Sequence, residues 1–249
     1  MKCLLPALAS CTTLCLAGAT ASAATITWVG GTGSATTGSN WSSGVNPFSD
    51  GSADDLVIGG SVVADNGSVT FRVEDGDSLT LKDNAALWHT RTGSNTRFDS
   101  SGTLPFEDVF VEDNAVVAMP ATRRLDFFLS DAGSIVITDN GNANPFERNA
   151  NQANVNIAAG WTGSIFIAGR DTDFVNDLID DRSFFFDGVK LTSDDLGTKY
   201  LLNDTSISGD PVPTFSVETQ GIYITAVPEP GSLALLGLGG LLVAVRRRR

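Results

Sequence analysis

Cysteine is nearly missing from this chain. Cys3, Cys11 and Cys15 are the only three, so everything after residue 15 lacks a disulfide, a thiolate nucleophile and a sulfur-ligated metal. Histidine is scarcer still. His89 stands alone, and a metal site or a relay triad built on it would need partners that no spacing supplies. No Gly-x-Ser-x-Gly elbow occurs. Gly30-Gly31-Thr32-Gly33 lacks the Gly-Lys-Ser/Thr that completes a phosphate loop. Basic side chains are also few. Lys and Arg number 16 against 29 Asp and Glu, a net charge of −13, which makes nucleic acid and anionic lipid poor partners. Long stretches of helical periodicity are absent, which argues against a helix-rich architecture.

What is present begins at the two ends. Met1-Lys2 precedes an apolar stretch carrying Leu4, Leu5, Ala7, Leu8, Leu14, Leu16 and Ala17. It closes at Ala21-Ser22-Ala23, the small-x-small pattern that suits the narrow pocket of signal peptidase. These features read as a secretory signal helix over residues 1–23, cut after Ala23, with signal peptidase and the export machinery as expected partners. Leu8-Ala9-Ser10-Cys11 also has the form of a lipobox, which would place a lipid on Cys11. The apolar stretch before it runs only from Cys3 to Ala9, so the site after Ala23 is better spaced.

At the other end, Val227-Pro228-Glu229-Pro230-Gly231-Ser232 leads into an apolar run from Leu233 to Val245, and Arg246, Arg247, Arg248 and Arg249 follow. A helix over residues 232–245 would be about 21 Å long, against a hydrocarbon core of about 30 Å. Length alone does not make it a span. The arginines do, because they cannot enter lipid cheaply and act as a cytoplasmic membrane stop. The prolines keep the helix from extending back over the motif. Together these features resemble the PEP-CTERM sorting domain. The resemblance implies recognition by an exosortase at Val227, Pro228, Glu229 and Pro230. It also implies that a C-terminal transmembrane helix briefly anchors the precursor in the inner membrane of a Gram-negative bacterium. Cleavage would then release the body to the cell surface or outside, in a setting of exopolysaccharide and biofilm.

The chain thus divides into a signal at 1–23, an extracytoplasmic body at 24–227 and a sorting tail at 228–249. Without Lys2, the four terminal arginines and Glu229, the body keeps 11 basic and 28 acidic side chains, a net charge of −17. It is long enough for one substantial core, which burial and backbone pairing must hold without disulfides.

The body reads as all-β. Short units recur: Asp75-Gly76-Asp77-Ser78-Leu79-Thr80-Leu81, then Asp83-Asn84-Ala85-Ala86-Leu87, Glu112-Asp113-Asn114-Ala115-Val116-Val117, Asp131-Ala132-Gly133-Ser134-Ile135-Val136-Ile137 and Gly163-Ser164-Ile165-Phe166-Ile167. Each is a turn followed by alternating apolar positions. Gly and Asn are expected to take the positive φ of the turn. The alternation puts Leu79 and Leu81, or Ile135 and Ile137, on one face. Strands recurring in this way suggest a right-handed β-solenoid, or β-helix, in which each coil buries the face of the last. An antiparallel β-sandwich with Gly-rich hairpins is the alternative. The opening Trp28-Val29-Gly30-Gly31 and Asn40-Trp41 resemble the start of secreted bacterial β-solenoid proteins, where such residues cap the first coil; core packing and a sugar-stacking platform are the other roles such rings take. One helix is expected over 172–180, capped by Asp171 or Thr172. Asp187-Gly188 marks a hairpin. Strands at 214–217 and 222–226 are expected to cap the far end.

Carboxylates are the only plentiful reactive groups. Arg123, Arg124 and Asp126 could form a cluster of the kind lyases use, but a turn with solvated charges is the preferred reading. For Ca²⁺, Asp75 with Asp77 and Asp171 with Asp173 and Asp177 offer oxygens, but neither set has the spacing of a calcium loop. No catalytic residue, metal site or cofactor is therefore assigned. The expected role is a non-enzymatic surface or extracellular-matrix protein associated with extracellular polysaccharide. The alternative is a carbohydrate-active enzyme or carbohydrate-binding module on the same scaffold. A long groove with clustered Asp/Glu, Arg/Lys and exposed aromatic rings, with at least two carboxylates within about 10 Å, would favour that alternative.

Overall fold

The computed structural model describes residues 23–48, 54–60, 62–64, 70–73, 76–89, 97–100, 107–138, 145–146, 153–181, 183–216, 218 and 220–228. The chain makes repeated passes through the same sequence of strands. The first pass holds β1 (Ala24–Thr27) and β2 (Gly33–Ser34). The second holds β3 (Asp54–Gly59), β4 (Val62–Ala64) and β5 (Thr70–Val73). β6 (Ser78–Lys82), β7 (Ala86–Trp88) and β8 (Arg97–Ser100) form the third. β9 (Glu107–Val111), β10 (Val116–Met119) and β11 (Thr122–Arg123) form the fourth. β12 (Leu125–Leu129) with β13 (Ser134–Ile137), and β14 (Asn154–Ile157) with β15 (Ile165–Ala168), make the fifth and sixth. The C-terminal part adds α1 (Thr172–Asp181), β16 (Ser183–Phe186), β17 (Val189–Lys190), β18 (Tyr200–Asp204), the short α2 (Thr205–Ser208) and β19 (Gly221–Ala226).

Strands of the same rank pair with each other. The first sheet runs β1-β3-β6-β9-β12-β14-β16-β17, the second β18-β19-β15-β13-β10-β7-β4-β2, and a small third β11-β8-β5. Among the described strands, pairing between passes is parallel; antiparallel pairing occurs at the C-terminal end, at β16–β17, β15–β19 and β18–β19, and in the Trp28–Trp41 bridge at the N-terminal end. The sheets are therefore mixed. The antiparallel-sandwich alternative does not describe the body: from β1 to β16 each described strand pairs in parallel with the strand of the same rank in the neighbouring pass, and consecutive strands pair as antiparallel neighbours at the C-terminal end, at β16–β17 and β18–β19. The recurrences visible in the sequence coincide with the register. Ala86 pairs with Val116, Val116 with Ser134 and Ile135 with Ile165. The step along the chain varies because strand positions are held by stacking while the connections between them are free to differ in length.

Stacking makes ladders of like residues. Ile26, Leu56, Leu79, Val109, Phe127, Val155 and Phe184 lie in register on one inward row of the first sheet, and all are buried. Leu87, Val117, Ile135, Ile165 and Ile224 form the facing row of the second. Phe98 and Phe146 close the core on the third side. At the N-terminal end, Trp28 and Trp41 meet edge-to-face at 5.2 Å, Trp41 packs on Phe48, and the Trp41 indole donates to the Ala35 carbonyl at 2.7 Å. Both tryptophans are buried, so of the roles such rings take they have that of a core cap.

The corner between the first and second sheets corrects one expectation. The left-handed residues there are aspartates and not asparagines: Asp83 and Asp113, each just before an asparagine, and Asp131 before Ala132, with φ of 59°, 52° and 52°. Short polar side chains tolerate this region better than most. Their carbonyls accept from the next pass, from Asn114 N at 2.9 Å, Ala132 N at 2.7 Å and Thr162 N at 2.6 Å. The glycines of the two Gly-Ser units are not left-handed either. They are needed for space: a Cβ on Gly133 would sit 2.0 Å from the Val111 carbonyl oxygen, and one on Gly163 would sit 2.2 Å from that of Gly133.

At the C-terminal end, α1 begins at Thr172 with the Asp171 carboxylate accepting from Phe174 N at 2.9 Å, as expected of a cap. Val175, Leu178 and Ile179 are its buried residues. The hairpin at Asp187-Gly188 joins β16 to β17. Residues 222–226 are a terminal strand, as expected, but 214–216 are not, and their neighbour Val217 lies outside the described residues. Residues 214–216 close a turn, Ser216 N donating to the Pro213 carbonyl at 2.9 Å. The segment crosses the outer face of the second sheet instead, where Phe215 meets Trp88 at 5.3 Å. The strand that pairs with β19 is β18. Among the described residues no helix is long and apolar enough to cross a membrane; the expected signal helix at 1–22 and tail helix at 232–245 lie outside them.

Gly133→Ala tests the stacking directly. The methyl group has no room against the neighbouring pass, so the variant should lose about 2 kcal/mol, read as a lower midpoint in chemical denaturation.

Candidate functional site

Alternation along the first sheet turns every second residue outward. Two outward rows result. One places Thr25, Asp55, Ser78, Asp108, Asp126 and Asn154 in register; the other places Thr27, Val57, Thr80, Phe110, Phe128 and Asn156. In the polar row, Ser78 Oγ donates to Asp55 Oδ1 at 2.8 Å and Asn154 Nδ2 to Asp126 Oδ1 at 2.5 Å. Burial raises the Asp126 carboxyl above the usual 3.8, and the Asn154 hydrogen bond partly offsets this. Burial also raises Asp108, and the neighbouring Asp126 charge adds to it. In the second row, the Phe110 and Phe128 rings stack with centroids 5.0 Å apart and planes 20° from parallel. Beside them lies a cleft of about 360 Å³ lined by both rings and by Glu112, Ser130, Asn156 and Asp187.

The residues singled out in the sequence are placed differently. Arg123 and Arg124 do not join Asp126. They converge on Asp99 of β8: Arg123 Nε reaches its Oδ2 at 2.5 Å, while Arg124 Nε and Nη2 reach Oδ1 and Oδ2 at 3.1 and 3.0 Å. The Asp99 side chain is fully buried. This grip also holds Arg124 at φ 53°, a left-handed conformation that a bulky residue does not favour. The lyase-like cluster is thus a structural lock. Asp99 was missed because it lies 24 residues from Arg123, and only the parallel pairing of β8 with β11 makes them neighbours.

Of the Ca²⁺ candidates, Asp77 is buried and accepts from Asp54 N at 2.9 Å, and Asp75 lies outside the described residues. Asp171 caps α1, and Asp173 is exposed in its first turn. No group of three or more His, Cys, Asp or Glu able to hold a metal occurs among the described residues. His89 is buried at the end of β7, its backbone N donating to the Ala118 carbonyl at 2.9 Å.

The processing residues lie at opposite ends of the stack. Ala23 immediately precedes β1, and Ala21 lies outside the described residues. β19 ends at Ala226, and Val227 N donates to the Lys199 carbonyl at 3.0 Å. Val227 and exposed Pro228 border a second cleft of about 600 Å³, walled by Trp161, Phe186, Lys199 and Thr225. Glu229, Pro230 and Arg246, Arg247, Arg248 and Arg249 lie beyond the described residues. Residues 226–249 match the PEP-CTERM protein-sorting motif. The chain carries a PEP-CTERM sorting signal. Its precursor is therefore exported and sorted through an exosortase. The PEP-CTERM match begins on Ala226, the last residue of β19. Neither a curated protein nor a solved structure matches the chain.

Two measurements check this geometry. Asp99→Asn leaves two arginines facing a neutral side chain and should cost about 3 kcal/mol, lowering the melting temperature by about 10 °C in a body of this size. Asp108 behaves oppositely. Its pKa is raised on folding, so the folded chain holds the proton more tightly, and stability falls as pH rises from 3.8 through the raised value. Asp108→Asn removes that loss. With solvent screening counted, it should melt about 1–2 °C higher than the parent at pH 7, with the advantage gone below pH 3.8. An equal difference at both pH values would refute the raised pKa.

Proposed function

We propose that this is an exported surface or extracellular-matrix protein whose body is a right-handed β-solenoid and whose role is structural, in association with exopolysaccharide and biofilm, and not catalytic. The observation that carries the reading is the sorting motif fused to the end of a body built from stacked parallel passes. The handedness follows from the strong right-handed preference of parallel crossover connections. A body of charge −17 stays soluble and self-repelling among hydrated polymers. The Trp28–Trp41 pair packs at one end of the stack, and antiparallel strands and α1 lie at the other, which interrupts the parallel ladder that another chain could otherwise extend. In this reading the C-terminal helix and the arginines hold the precursor in the inner membrane until exosortase cleavage sends it to the surface or the medium.

A specific observation favours a second reading, a carbohydrate-active enzyme or carbohydrate-binding module. Asp108 and Asp126 sit on adjacent strands, about 5 Å apart at the backbone, both with raised carboxyls and both beside the Phe110–Phe128 stack. Glycoside chemistry uses a pair of carboxyl groups flanking the scissile bond, and these two side chains lie in register on one outer face.

The sorting reading is tested in a host that has an exosortase. With an epitope tag in the body, the parent should appear at the surface or in the medium at reduced mass. A variant with Pro228, Glu229 and Pro230 replaced by alanine should remain in the inner membrane at full mass. Identical distribution and mass of the two would refute exosortase-dependent release.

A further inference from the structure

We propose that the cleft beside the Phe110–Phe128 stack binds a polysaccharide bearing free amino groups, one pyranose unit per strand. The inference rests on the reading of the body as a polymer-associated protein and names the polymer's chemistry.

The cleft is built by the stacking itself. Its lining comes from four neighbouring segments of the first sheet: Phe110 and Glu112 at β9, Phe128 and Ser130 at β12, Asn156 at β14, and Asp187 at the turn after β16. Adjacent strands are about 4.8 Å apart, so these segments span about 14 Å along the stacking direction. A pyranose unit is about as long as one strand spacing. A linear chain laid along this direction therefore meets an equivalent backbone position at each step. A globular or planar ligand gains nothing from that repetition.

The lining decides the chemistry. Two aromatic rings offer apolar surface to the C–H faces of a sugar, while Ser130 and Asn156 offer hydroxyl and amide groups to its hydroxyls. Glu112 and Asp187 are the only ionisable side chains in the lining, and both are acidic. Asp108 and Asp126 add two more carboxylates in the neighbouring row. A uronic-acid polymer would bring like charge into this field, whereas protonated amino groups are drawn to it. The −17 charge of the body points the same way.

The test uses the purified full-length chain in mild detergent and isothermal titration with three soluble probes: a β-1,4-glucosamine oligomer, its N-acetylated counterpart and oligogalacturonate. The glucosamine oligomer should bind best, more weakly at high salt, and oligogalacturonate should not bind. Phe128→Ala should weaken binding about tenfold. Because that variant removes a packed ring, the nearly isosteric pair Glu112→Gln with Asp187→Asn is measured beside it. The pair should leave the melting temperature unchanged, lower affinity for the glucosamine oligomer about tenfold and flatten its salt dependence. Unchanged affinity in the pair, or preference for the N-acetylated or galacturonate probe, overturns the inference. If the chain refuses all three probes yet binds exopolysaccharide prepared from its host, the inference falls and the polymer reading stands. If it binds neither, both fall.

Discussion

The parallel, in-register hydrogen bonding of each pass onto the next is the constraint on which the rest of this molecule depends. It sets apolar above apolar along Leu56, Leu79, Val109, Phe127 and Val155, and so makes a continuous core without a single disulfide. It also forces whatever points outward into rows. A body held by burial and backbone pairing alone suits a cysteine-free exported protein, because nothing in it waits on oxidation.

That same constraint explains the corners. A chain leaving one sheet for the next must reverse within a few residues at each level, and each reversal must stay clear of those above and below. Asp83, Asp113 and Asp131 take the left-handed conformation and pass a carbonyl to the next level. Gly133 and Gly163 are small because a neighbouring carbonyl occupies the space a Cβ would need. Where the rule is broken by a large residue, at Arg124, a buried carboxylate holds the residue in place.

Much of the scaffold was legible beforehand. The turn-and-alternation units point to all-β structure, and their spacing turns out to be the register of the second sheet. Helix 172–181, its Asp171 cap and the Asp187-Gly188 hairpin follow from local chemistry, as does the sorting tail, whose proline, apolar and arginine segments act within a span of two dozen residues. Residues 214–216 were misread because alternation in a short segment does not reveal that it will close a turn onto the preceding Pro213 instead of joining a ladder. The asparagines were given the turn conformation that the preceding aspartates take, since both residue types tolerate it and only the register chooses between them.

The site was far less legible, for a physical reason. Asp99 with Arg123 and Arg124, and the Phe110–Phe128 stack, join residues 18 to 25 positions apart, and no local pattern links them. The amino acid sequence by itself determined the sorting tail, the lack of cysteine after residue 15, the excess of acidic side chains and the strand-forming units, because each depends on composition or on neighbours within a few residues. Only the tertiary structure decided that two arginines are consumed by a buried aspartate and that two phenylalanines and a row of acids share an outer face. Those outcomes depend on the length of the connection between one strand and the strand stacked on it, and that length carries no chemistry until the stacking is made.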